Sequence, residues 1–278
     1  MKQIRVFSFG GGVQSTAVLV LQALGRLATP YDVFVFANVG EDSENPATIE
    51  YMNAHLRPYA VRAGITLIDV QKTYKKQPDT LVTELFRDNR SISIPARMGG
   101  NGAPGNRQCT TDFKIRQIDK WIREQKQYDE AVVGLGISLD EFSRMRDTNW
   151  HEHEGLSEKG RKLGFKKKRE YPLIDLRLSR QDCLNVVWEV GLPPPPKSSC
   201  FFCPFHSPNT WIEMKRKRPD LFEKSCQIEE QINKKRGTTG RDSVYLHKSL
   251  VPLRQAVGDQ MSMFSDESDS CESGYCMT

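Results

Sequence analysis

The chain has 278 residues, 38% of them hydrophobic, and a formal net charge of +5, which allows one large or two small packed domains. No run of eighteen apolar residues occurs, and the chain starts on a strand pattern rather than a basic, apolar leader, so a cytoplasmic protein without membrane attachment is expected. Seven cysteines without an export signal argue against a disulfide framework and for metal binding or thiol chemistry.

Residues 4–9 read as a strand and 15–24 as a helix, joined by Gly10-Gly11-Gly12-Val13-Gln14. A strand that delivers glycines onto a helix N-terminus gathers backbone N–H groups at the positive end of the helix dipole, a cradle for phosphate. No Lys follows Gly12, which excludes a Walker loop, and Ser15 stands where a dinucleotide fingerprint needs its third glycine. Ser15 and Thr16 would add hydroxyl donors; the plain alternative is a tight corner with a serine cap.

Residues 31–38 form the nearly continuous apolar run of a buried parallel strand, followed by a polar loop, 39–45, and by Pro46 opening a helix towards residue 59. Then come a strand at 64–70, a helix at 80–88, a long irregular stretch at 95–108 and a helix at 111–126. A fourth strand is expected at 131–137 and a fifth at 171–176, after a basic insertion. This alternation predicts an α/β fold, a parallel five-stranded sheet with helices on both faces, over residues 1–178. A helical and cysteine-knuckle extension fills 179–278. Ligands bind such sheets outside the carboxyl ends of the strands, so loops 10–15, 38–42 and 136–144 should meet in one crevice. Seven Lys or Arg in 159–169, and four in 215–218, suit either a solvated face or a polyanionic partner.

Cys183 and Cys226 fall in helical patterns and read as small buried apolar residues. Cys109, Cys200, Cys203, Cys271 and Cys276 fall in turn-like contexts. The Cys200-Phe201-Phe202-Cys203-Pro204 turn presents two thiolates after a proline run, 193–196. No thioredoxin-like pattern surrounds it, which favours metal over redox use.

Five ordered blocks resemble the PP-loop (N-type ATP pyrophosphatase) superfamily, in its phosphoadenylylsulfate reductase-like branch, with its phage and DNA-phosphorothioation sulfurtransferase homologues. They are Gly10 to Ser15, with Gly10 for the usual Ser and Val13-Gln14 for the usual Lys-Asp; Asn38 to Asp42 with Pro46 and Thr48; Cys109 to Lys114; Gly136 to Arg144; and Tyr171-Pro172-Leu173 with Gly191-Leu192-Pro193. The resemblance implies a HUP-like fold with an adenine nucleotide held by Ser8, Gly10, Gly11, Gly12, Gln14, Ser15, Thr16, Asn38, Gly40 and Gly136. Lys114, Arg144 and Arg146 are suited to phosphate or sulfate oxygens. Asp140 and Glu141 suit a magnesium ion, or else cap the next helix and pair with Arg144.

For the cysteines the resemblance implies a 4Fe-4S cluster on Cys109, Cys200 and Cys203 with Cys276 or Cys271. The alternative is zinc on Cys200, Cys203, Cys271 and Cys276, with Cys109 left as a nucleophile. His206 either takes the place of a tail cysteine as a ligand or, as is commoner for one His near metal thiolates, stands beside them as a supporting partner. The activity implied is adenylation- or sulfur-transfer chemistry on an acceptor such as a nucleobase or nucleic acid, served by a sulfur or electron donor protein. The alternatives are a true reductase, in which Cys109 or a tail thiol attacks adenylylated sulfate, and a non-catalytic nucleotide- and nucleic-acid-binding module.

Overall fold

The computed structural model describes residues 2–146, 148–156 and 162–258. The first half runs β1 (Gln3–Phe9), α1 (Val13–Ala23), β2 (Val33–Asn38), α2 (Pro46–Tyr51), α3 (Arg57–Arg62), β3 (Leu67–Gln71), β4 (Thr73–Tyr74), β5 (Gln77–Pro78), α4 (Leu81–Phe86) and β6 (Arg97–Met98). It continues with α5 (Gln108–Thr110), α6 (Arg116–Glu124), β7 (Glu130–Leu135), β8 (His151–Leu156), β9 (Lys162–Glu170), α7 (Pro172–Asp175) and α8 (Arg180–Glu189). The chain closes with α9 (Pro208–Lys217), α10 (Pro219–Gly237), β10 (Val244–Tyr245) and α11 (Leu253–Ala256). Wide π-helical turns, Met52–Leu56 and Thr111–Ile115, join α2 to α3 and α5 to α6.

The main sheet has the order β3-β2-β1-β7-β9-β8. Neighbours are parallel from β3 through β9, and β8 adds an antiparallel edge. Alternation along the strands sends Phe7, Phe9, Phe34 and Phe36 to one face, where they pack with α1 and α8. Ile4, Val6, Val33 and Val35 point to the other, against Ile118 and Ile122 of α6. A third core gathers Phe113, Phe201, Phe202, Trp211, Ile228 and Ile232 beneath the C-terminal helices. Helix α8, with Cys183 and Val187 fully buried, belongs to the first core although its residues lie beyond 178.

The fifth parallel strand is not the expected 171–176. Pro172 takes the first position of the short helix α7, where its missing N–H costs nothing. The strand is the basic segment expected to be an insertion: β9 pairs with β7 from Glu130↔Lys166 to Gly134↔Glu170. The helix expected from 111 starts at Gln108, and the helical region beyond 209 breaks at Arg218, before Pro219. No helix among the described residues is long and apolar enough to cross a membrane.

Candidate nucleotide crevice and cysteine cavity

The carboxyl ends of β1, β2 and β7 lie side by side, so the loops that follow them share one edge of the sheet. At the end of β1, Gly11 has φ +75°, and a Cβ there would stand 3.0 Å from Thr48 Cγ2. Only glycine fits this turn without strain. Gly12 caps α1, its carbonyl accepting from Thr16 N at 3.0 Å and from Ser15 Oγ at 3.0 Å. Thr16 Oγ1 and Thr48 Oγ1 are buried and find no hydrogen-bond partner among the described residues. Ser8 is buried within β1, and its register neighbours are Val35 and Leu135.

Gly136 comes so close to α1 that a Cβ would lie 3.2 Å from Ser15 N. Gln14 Nε2 donates to Ser138 Oγ at 3.5 Å, and Gln14 Oε1 accepts from Arg180 Nη1 at 3.1 Å. Asn38 Oδ1 accepts from Gly40 N at 2.8 Å, which curls the second loop back on itself at φ +111°. The glycine turn thus meets the loop after β7 directly and the helix after β2 through Thr48, as the strand order requires.

The charged candidates are differently disposed. Glu141 pairs with buried Arg144 at 2.6 Å, and Asp140 Oδ1 accepts from Arg180 N at 2.8 Å, so both carboxylates serve as local partners in this conformation. Arg146 is held by its backbone, N donating to Tyr171 Oη at 2.9 Å and O accepting from it at 3.2 Å. Lys114 lies on the cysteine cavity described next. Arg180 is the cation that meets the glycine loop, a contact sequence reasoning missed; its only sequence signal is its place beside the Ser179 cap of α8.

Beside the crevice, Cys109, Cys200, Cys203 and Lys114 line one cavity with Phe202, Phe205 and Arg107. Its space, open mouth included, is about 520 Å³. Cys109 and Lys114 are five residues apart, a spacing an α-helix would splay; the π turn between them widens the pitch so that both reach one cavity. The other wall is the knuckle. Cys200 O accepts from Cys203 N at 3.1 Å, and His206 Nε2 lies 3.0 Å from Cys200 O and 3.1 Å from Phe201 O. Two carbonyl partners make Nε2 the protonated nitrogen, and burial pushes the His206 pKa down to about 4. The ring therefore holds the turn as a neutral donor.

Residues 198–200 join the two regions. Ser198 Oγ donates to Gly10 O, Ser199 O accepts from Asn45 N at 3.1 Å, and Cys200 forms an isolated bridge with Glu44. Ser198, also unmarked in the sequence reading, thus seats the knuckle on the glycine loop.

Among the described residues, no three His, Cys, Asp or Glu side chains are arranged to hold a metal ion. Cys271 and Cys276 lie outside the described residues. Cys183 and Cys226 are buried in α8 and α10, which raises their thiols to about 12 and about 11 and keeps them protonated.

A parallel five-stranded sheet whose first strand ends in a glycine turn onto a helix is now in place. The fold is α/β, with the glycine turn and the loop after β7 meeting at the carboxyl edge of the sheet, where such folds bind ligands. No family model matches the chain, and no curated protein matches it. Among solved structures it is similar to the U34-tRNA thiolase NcsA from Methanococcus maripaludis with its [4Fe-4S] cluster, at 12% identity and a TM-score of 0.39, covering 86% of this chain and 72% of that one.

Proposed function

We propose that the chain is a PP-loop enzyme that binds an adenine nucleotide in the crevice and carries out adenylation- or sulfur-transfer chemistry at a cysteine-held iron-sulfur cluster. The observation that carries this reading is that Cys109, Cys200 and Cys203 line one largely apolar cavity, without being drawn together as ligands in this conformation, and that the cavity is tied through Ser198 to the glycine loop. Drawn closer than in this conformation, the three thiolates would supply a donor set for a cluster, and apolar walls with Arg107 and Lys114 beside them suit its net negative charge. When bound, it would supply a site for accepting and passing on sulfur or electrons. Cys109 on that cavity favours this set over a zinc knuckle that leaves Cys109 out.

The chain's own groups have definable tasks. The backbone N–H groups of the loop and the α1 dipole hold phosphate. Arg180 brings the positive charge that Val13 does not. Lys114 stands where an anion leaving or entering the cysteine cavity would pass. The test is anaerobic purification with metal and sulfide analysis. Iron with acid-labile sulfide, lost on Cys109→Ser, Cys200→Ser or Cys203→Ser, is expected; colourless protein with one zinc retained in Cys109→Ser would overturn the cluster assignment.

A further inference from the structure

The surface next to the crevice carries a combination that the nucleotide site does not use. The turn after β7, Leu139–Arg144, and the residues that follow it expose Phe142 (53%), Leu139 (44%), Trp150 (40%) and Met145 (36%). Lone exposed apolar residues need no explanation, but four within twelve positions concentrate apolar surface on one stretch of chain, called the patch below. Cations stand with them. Lys168 of β9 lies over the Trp150 ring at 5.1 Å, and exposed Arg146 is anchored to Tyr171, the residue that follows β9. The backbone pins the patch to the crevice: Ser138, one residue before the turn, meets Gln14 of the glycine loop, and Leu139 N donates to Leu178 O at 2.8 Å.

We infer that this patch is a binding surface for a single strand of nucleic acid, with Phe142 and Trp150 as stacking platforms and Arg146 and Lys168 on the phosphates. A protein partner would be met by apolar side chains with a polar rim. Here cations lie among the aromatics, on a chain of net charge +5, which is the pattern of sequence-tolerant strand binding. Duplex fits less well, since exposed rings gain little from stacked, paired bases. The surface deepens the proposed function by naming the acceptor class, and it depends on that function only for what is done to the bound strand.

The test is fluorescence anisotropy of the full chain with labelled single-stranded DNA and RNA 12-mers and the matching duplex, without ATP and over a salt series. Preference for a single strand is expected. Phe142→Ala and Trp150→Ala should each weaken binding about tenfold. Arg146→Gln should lower the salt slope by about 0.7, one phosphate contact on a single strand. Phe142→Ala and Trp150→Ala should keep wild-type nucleotide binding, and all three variants should keep wild-type far-UV circular dichroism. No binding, equal binding by the aromatic variants, duplex preference, or self-association through the patch in sedimentation without strand binding would each overturn the inference. ATP binding separates this result from the proposed function, since either can fail while the other stands.

Discussion

Arg180 and Gly11 make the glycine loop testable one side chain at a time. Arg180→Gln removes the guanidinium on Gln14, and ATP affinity should fall about tenfold, the scale of a charge-assisted phosphate contact. AMP affinity should change little if the charge acts on the outer phosphates; equal loss for both nucleotides in calorimetry would mean that Arg180 only orients Gln14. Gly11→Ala sets a methyl 3.0 Å from Thr48 Cγ2 at φ +75° and should cost roughly 2 kcal/mol in urea denaturation. The glycines were legible in the sequence because a strand-to-helix turn leaves a local signature. Arg180 was not, because it stands 166 positions from Gln14 and only the packing of α8 on α1 brings them together.

The strands and helices were legible wherever burial writes an apolar run, as in β2, and illegible where burial is achieved by pairing. Strand β9 carries cations where a core strand carries valines; Lys167 is buried because Asp119 of α6 meets it at 2.6 Å. Asp119→Ala should therefore destabilise by about 3 kcal/mol, leaving a buried charge without its partner. Asp119→Leu with Lys167→Met should recover most of that loss in thermal unfolding. The segment around β10 has a different sensitivity. His247 is buried beside Lys248 and Arg97, and burial first, then those charges, lower its pKa from 6.5. The unfolded chain then binds the extra proton, so this contribution is complete above about pH 6.5 and is lost progressively below it, as pH falls towards and through the lowered folded value. Denaturation midpoints at pH 7.5 and 5.5 should differ for the wild type and differ less for His247→Gln.

Across the whole molecule, the parallel alternation made it foreseeable that the three loops share one edge, since such a sheet carries all its β-to-α loops there. That cysteines border the crevice was implied by the resemblance, but the contacts that make the link, from residues 198–200, are long-range and leave no local signature. Extended chain spans at most about 3.6 Å per residue, so Ser198 on Gly10 and the thiol of Cys200 are separated by only two short steps. In metal-depleted protein, ATP should therefore alter the rate at which Cys200 is alkylated by iodoacetamide, read by mass spectrometry. One glycine inserted between Ser198 and Ser199 should abolish the ATP effect while leaving alkylation itself. An unchanged ATP effect in that variant would mean that the two regions communicate by another route. The consequence of so short a tether is that occupancy of the loop has its own chemical reporter: thiol reactivity registers whether the phosphates are in place before any acceptor arrives.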